Sequence, residues 1–135
     1  MTVRQLIALK ALAIWFAILL LAILNGLLRE AVLVPMLGPA AGLVLSGLLL
    51  SALIVAVAYL ALPWLDVRGA APLLAVGLGW LALTLVFEFS FGLWQRKPWP
   101  VLLEAYTFQG GNLWPLVLLV TALAPSIAAR LRRRA

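Results

Sequence analysis

Apolar residues run along this chain in four long blocks, and the polar ones are confined to short, punctuated gaps between them. The blocks cover roughly 11–28, 40–62, 70–94 and 110–129. A helix needs ~20 apolar residues to cross the hydrocarbon core of a bilayer, and each block meets that length. The pattern predicts an all-α polytopic membrane protein with four transmembrane helices, roughly 3–29, 40–62, 70–94 and 110–129, packed as a four-helix bundle. A short interfacial or re-entrant helix is expected between the third and fourth. A single transmembrane domain then occupies 1–135.

The gaps set the expected boundaries. The first span starts near Val3 and ends at Arg29 or Glu30, with Lys10 snorkelling its ammonium toward the headgroups. It is longer than the ~7–15-residue core of a secretory signal and lacks an Ala-x-Ala site, so it reads as uncleaved. Residues Ala31 to Pro39 are apolar but broken by Pro35, Gly38 and Pro39, which predicts backbone held at the interface or against other helices. The second span is expected to end at Pro63, with Trp64 at headgroup level and Asp66 and Arg68 in a turn. Pro72 suits the first turn of the third span, where its missing N–H costs nothing. Gly110, Gly111 and Asn112 form a turn with Asn112 as an N-cap, and Pro125 kinks or shortens the last span. Gly42 with Ser46, Gly47 with Ser51, and Ala75 with Gly79 stand four apart and make grooves for close helix approach, either within the bundle or between copies.

Composition sharpens this picture. With 67% hydrophobic and 10% charged residues, a water-soluble domain would have no polar exterior. There is no cysteine and no histidine, which removes disulfides, Cys- or His-ligated metals and every thiolate or imidazole mechanism. No phosphate loop, dinucleotide fingerprint or nucleophile elbow occurs, and Ser46 and Ser51 have no histidine to activate them. No cofactor or metal is expected.

The net charge of +6 does not point to nucleic acid, because of where it sits. Arg130, Arg132, Arg133 and Arg134 follow the last apolar block, a placement that attracts anionic lipid headgroups at ~1 kcal/mol per charge. The N-terminus, second gap and C-terminus carry seven of the ten basic residues; the first and third gaps carry Arg29, Arg96 and Lys97. The positive-inside rule therefore predicts both termini in the cytoplasm, and a bacterial inner membrane is the expected location. A homo-oligomer or a larger membrane partner is also open.

Glu88 is the first candidate for function. It lies about six residues inside the third span, ~9 Å below the interface at the helical rise, where an anion costs ~2–3 kcal/mol to insert. Such a carboxylate needs a partner, a cavity or a proton. Thr84, Glu88 and Gly92 share a face with Trp80. Asn25 and Arg29 stand four apart on the first span, and Arg29 is the expected partner of Glu88. Asn25, Arg29, Glu30, Glu88, Arg96, Glu104 and Asn112 all gather at one membrane side, with three of the four acids among them. In the third gap, Pro100 opens a short helix expected either to anchor the chain at the membrane surface or to form a lid over Glu88, with Glu104 or Tyr106 facing inward. Trp99 and Tyr106 favour the headgroup region, and Arg96 and Lys97 can hold lipid phosphates.

These residues fit three functional classes. One is a small transporter or channel-like protein that binds an ion, proton or small charged solute at the polar cluster. The second is an accessory or assembly subunit docking through its small-residue grooves. The third, a membrane enzyme acting on a lipid-linked substrate, has only carboxylates to work with. The layout is shared with small multidrug exporters, but their membrane glutamate stands in the first span and this one stands in the third, so no residue role carries over.

Overall fold

The computed structural model describes residues 2–67, 69–104, 106–107 and 112–134, Arg134 by its backbone alone. Arg68, Gly110 and Gly111, expected in turns, lie outside these residues, as does the Arg134 side chain. The described residues are helical almost throughout and contain no strand.

Thr2 starts α1 (Val3–Leu28). Its hydroxyl accepts the Gln5 N–H at 3.1 Å while the Gln5 side chain accepts the Thr2 N–H at 2.9 Å, a reciprocal cap for otherwise orphaned donors. Lys10 reaches back to the end of the second span, donating to the Trp64 carbonyl at 2.9 Å with its ammonium 5.3 Å from the Trp64 ring centre.

The first span does not end at Arg29 or Glu30. It continues through a π-helical turn (Arg29–Leu33) into α2 (Val34–Leu37). Pro35 explains the form of this continuation. It has no N–H, and its ring presses on the carbonyl four residues back, that of Ala31. The π turn, in which the Val34 N–H donates to Arg29 O, widens the helix just before the proline and lets it run on. The break falls only at Gly38, whose φ of +92° favours glycine. Pro39 then opens α3 (Pro39–Leu65) in its first turn.

Pro63 does not end α3 either; it sits within the last turns. The carbonyl left free by its missing N–H is that of Tyr59, and Arg132 fills the vacancy. Its Nε donates to Tyr59 O at 2.6 Å, and its guanidinium lies 4.4 Å from the Tyr59 ring centre. Asp66, in the left-handed conformation with φ 52°, closes the helix through its N–H to Leu62 O. Of the arginines expected at lipid, Arg132 is committed to the bundle, while Arg130 and Arg133 remain exposed.

Helix α4 (Ala70–Trp94) carries Pro72 in its first turn as expected, and α5 (Trp99–Glu104) is the short helix of the third gap. The last helix, α6 (Trp114–Arg134), begins later than 110 and runs past 129. Asn112 sets the start by accepting the Trp114 N–H at 3.2 Å. The arginines extend the end, because cations oppose the negative pole of the helix. Pro125 stays inside α6.

The packing order is not the chain order. α6 lies against both α3 and α4, which barely touch each other, and α1 packs on α3 with only a light contact to α4. Small residues make these approaches possible. Ala124 and Ala128 of α6 are wholly buried, and a Cβ on Gly77 would overlap the carbonyl oxygen of Ala122. Gly42 accommodates the backbone of Val34, which holds α2 against α3. Four segments, Val3–Leu37, Pro39–Leu65, Ala70–Trp94 and Trp114–Arg133, are long and apolar enough to cross a membrane.

Candidate functional site

Two tryptophans tie α1 to α4 in the half of the bundle nearer the termini. Trp80 Nε1 donates to Ala11 O at 2.9 Å, and Trp15 Nε1 donates to Thr84 Oγ1 at 3.1 Å. Thr84 in turn donates to Trp80 O at 2.8 Å, which fixes its rotamer. Past Thr84 no hydrogen bond joins the two helices among the described residues. There they part around a cavity of about 560 Å³.

The cavity collects polar groups from the four long helices and the turns beside them. α1 contributes Asn25, the π turn after it Arg29, α3 Ser46, α4 Thr84 and Glu88, the residue after α4 Gln95, and α6 Thr121. Lys97, Tyr106, Asn112 and Trp114 close the far side. Asn25 and Ser46 are buried, and the Ser46 hydroxyl donates to Asn25 Oδ1 at 2.5 Å. Asn25 Nδ2 is left with no hydrogen-bond partner, an omission that costs ~1–3 kcal/mol in a buried setting.

Glu88 and Arg29 both line the cavity, but no ion pair joins them. Arg29 Nε bonds its neighbour Glu30 at 3.0 Å instead. Glu30 is 69% exposed, so that pair forms without desolvating two charges, whereas a pair across the cavity would have to bury both. The group that meets Glu88 is Tyr106, whose hydroxyl donates to Oε2 at 3.4 Å. Burial first, and then the Glu88 carboxylate beside it, push the Tyr106 phenol up to about 12. It therefore remains a neutral donor at physiological pH. The indole N–H of Trp114 lies beside the same carboxyl without completing a hydrogen bond, and Lys97 is the cation acting on it.

The turn after α4 explains why Lys97 and not Arg96 reaches the cavity. The Arg96 N–H donates to Leu93 O at 2.9 Å and the Lys97 N–H to Gly92 O at 3.1 Å, with Arg96 in the left-handed conformation at φ 61°. This is the Schellman arrangement, here without its usual glycine. It leaves Arg96 exposed on the outside and carries Lys97 to the cavity rim. α5 then folds over the end of α4. Leu102 packs where a Cβ on Gly92 would stand, and Phe89 stacks on Tyr106 with ring centres 5.4 Å apart.

Of the residues singled out from the sequence, Asn25, Arg29, Glu88, Tyr106 and Asn112 line one cavity, whereas Glu30, Arg96 and Glu104 are exposed and do not. Of the two residues expected to face inward, Tyr106 lines the cavity and Glu104 does not. Asn112 is structural as well as lining, since its Nδ2 donates to Thr107 O at 3.0 Å. Sequence reasoning did not assign Lys97, Gln95, Trp114 or Thr121 to this site. Their positions depend on the turn after α4 and on α6 lying between α3 and α4, and no sequence signal marks either.

Glu88 is the one carboxylate among the described cavity-lining residues, so there is no second acid to share its proton in a dyad. Among the described residues no group of three or more potential ligands is placed to hold a metal. Comparison with protein-family models, curated proteins and solved structures finds no match.

Proposed function

We propose that this protein is a small transporter-like membrane protein whose cavity binds a charged ligand near one membrane face. The observation that carries this reading is the incompletely satisfied polar wall. Asn25, 4% exposed, lines the cavity together with Ser46, Thr84, Glu88 and Gln95, and its covered amide nitrogen meets no hydrogen-bond partner. Polar groups at membrane depth are costly, and those that persist mark ligand or ion pathways. A purely structural bundle would have filled this volume with apolar side chains, as it does around Ala58 and Leu65, which are 0% and 2% exposed.

The test is flux. Purified protein in liposomes is expected to move at least one of protons, inorganic phosphate, acetate or glycine faster than protein-free vesicles, and Glu88→Gln is expected to cut that flux at least ~10-fold, about 1.4 kcal/mol. Wild-type rates equal to empty vesicles for all four probes, or a Glu88→Gln variant as fast as wild type, would sink the reading.

The proposal includes an orientation. Both termini face the cytoplasm of a bacterial cell and the cavity mouth faces outward, supported by seven of ten basic residues at the terminal side. The chain has no cysteine, so single-cysteine variants give a clean readout. Lys97→Cys is expected to react with a membrane-impermeant maleimide on intact spheroplasts, and Arg133→Cys only after lysis. The reverse labelling pattern overturns the orientation.

An accessory-subunit reading has one observation in its favour. Ala75 and Gly79 are exposed on α4, and a Cβ on Gly79 would meet nothing within 4 Å, leaving room for a partner helix. A stoichiometric membrane protein retained through purification would favour that reading over a free-standing transporter.

A further inference from the structure

The cavity is graded along its length. At its rim stand Arg29 and Lys97; below them come Asn25, Ser46 and Glu88; deeper still the walls are Ile18, Leu50, Ile54, Phe87 and Val117. On α1 the lining runs from Trp15 to Arg29, a rise of ~21 Å at the helical repeat. Elongated along α1, the cavity of 560 Å³ falls within the ~300–1,000 Å³ of small-molecule sites and makes a slot with room for one extended chain. The deep end is shut, since Ile54, Val117 and Thr121 are each 2% exposed.

The slot also has a side opening. The two indole bonds clamp α1 to α4 only as far as Thr84. Above that level Ile23 of α1 and Phe91 of α4 both line the cavity and are still 50% and 45% exposed. In a membrane that exposure is to hydrocarbon. A ligand can therefore slide in from the bilayer between α1 and α4 without passing through water.

The polar end selects for an anion. Two cations and one acid line the cavity; Glu30 offsets Arg29 from outside it, which leaves Lys97 as the lining cation with no ion pair among the described residues. Arg29 uses only its Nε among the described residues, so its terminal nitrogens remain as donors at the rim beside the Lys97 ammonium. Donors without acceptors call for oxygen lone pairs.

We propose that the cavity holds a single-chain anionic amphiphile taken from the bilayer, its phosphate or carboxylate head between Arg29 and Lys97 and its hydrocarbon chain directed toward Ile54 and Val117. This rests on the reading of the cavity as a charged-ligand site and names the ligand class.

The test uses the protein in phosphatidylcholine nanodiscs, with ³²P-labelled dodecyl phosphate as probe and empty nanodiscs as background. Saturable binding above background is expected, displaced by unlabelled dodecyl phosphate and by dodecanoate, and at least tenfold less effectively by inorganic phosphate. Arg29→Gln and Lys97→Gln are expected to weaken binding tenfold or more. Ala22→Leu, which narrows the slot with an apolar side chain, is expected to weaken dodecyl phosphate while leaving size-exclusion behaviour unchanged. If inorganic phosphate competes as well as dodecyl phosphate, the chain-binding inference is overturned and the charged-ligand site stands. If no phosphate of either kind binds above empty nanodiscs, the inference is overturned, and the flux assay decides the charged-ligand site separately. Lateral access is checked separately: a Cys pair at Ile23 and Phe91, cross-linked, is expected to block uptake, and undiminished uptake overturns the bilayer route.

Discussion

Gly77→Ala is expected to prevent the bundle from closing, while Gly79→Ala, two residues along the same helix, is expected to leave it intact. At Gly77 the new Cβ would overlap the carbonyl oxygen and carbon of Ala122 and crowd Pro125. The obstacle is backbone, which cannot rotate away as a side-chain tip can. Overpacking a well-fitted interior costs ~1–3 kcal/mol, and a rigid obstacle puts this case at the upper end or beyond. In a membrane the cost is not softened by hydrophobic burial, because lipid is as apolar as the helix interface and close packing itself holds the helices together. At Gly79 the Cβ meets nothing within 4 Å, and alanine is the better helix former by ~1 kcal/mol. Thermal melting in detergent, with size-exclusion profiles, separates the two. A Gly77→Ala protein that melts with the wild type removes the close α4–α6 contact from the account.

Trp80→Ala should be the most damaging truncation in the protein. Trp80 is 1% exposed, the largest side chain buried to that degree, and its indole N–H holds the Ala11 carbonyl at 2.9 Å. Removing it opens a cavity worth ~3–5 kcal/mol. Trp80→Phe keeps most of the volume but loses the bond, for ~1–3 kcal/mol. Because this bond and that of Trp15 to Thr84 close α1 onto α4 below the cavity, both variants should also loosen that end. SDS-titrated unfolding followed by circular dichroism reads the stability, and the distance between spin labels at the start of α1 and on α4 reads the opening. A Trp80→Phe variant with wild-type stability and an unchanged distance would show that the clamp is held by packing alone.

Much of the architecture was legible from residue order, and the misreadings share one cause. Pro35 and Pro63 read as breaks, yet both lie inside helices. A proline ends a helix when its orphaned carbonyl finds no partner. Here Pro63's orphan, Tyr59 O, is met by Arg132 from the far end of the chain, and Pro35 is accommodated by a π turn. Neither rescue is visible locally. The Arg29–Glu88 pairing failed for a related reason: spacing puts both at one end of the bundle but does not say that Glu30 takes the guanidinium first.

The sequence by itself determined the solvent, the number of spans and the end at which the polar residues collect. These follow from helix length against bilayer thickness and from the cost of burying charge, both properties of single segments. It did not determine which face of each helix turns inward, because helices that are apolar nearly all round carry no amphipathic signal. Only the tertiary structure decided that α6 would lie between α3 and α4, that two tryptophans would clamp α1 to α4 on one side of a cavity, and that Lys97 and Trp114 would join Glu88 there. Those outcomes rest on where glycine and alanine let backbones meet and where a buried N–H finds a carbonyl, which are relations between segments.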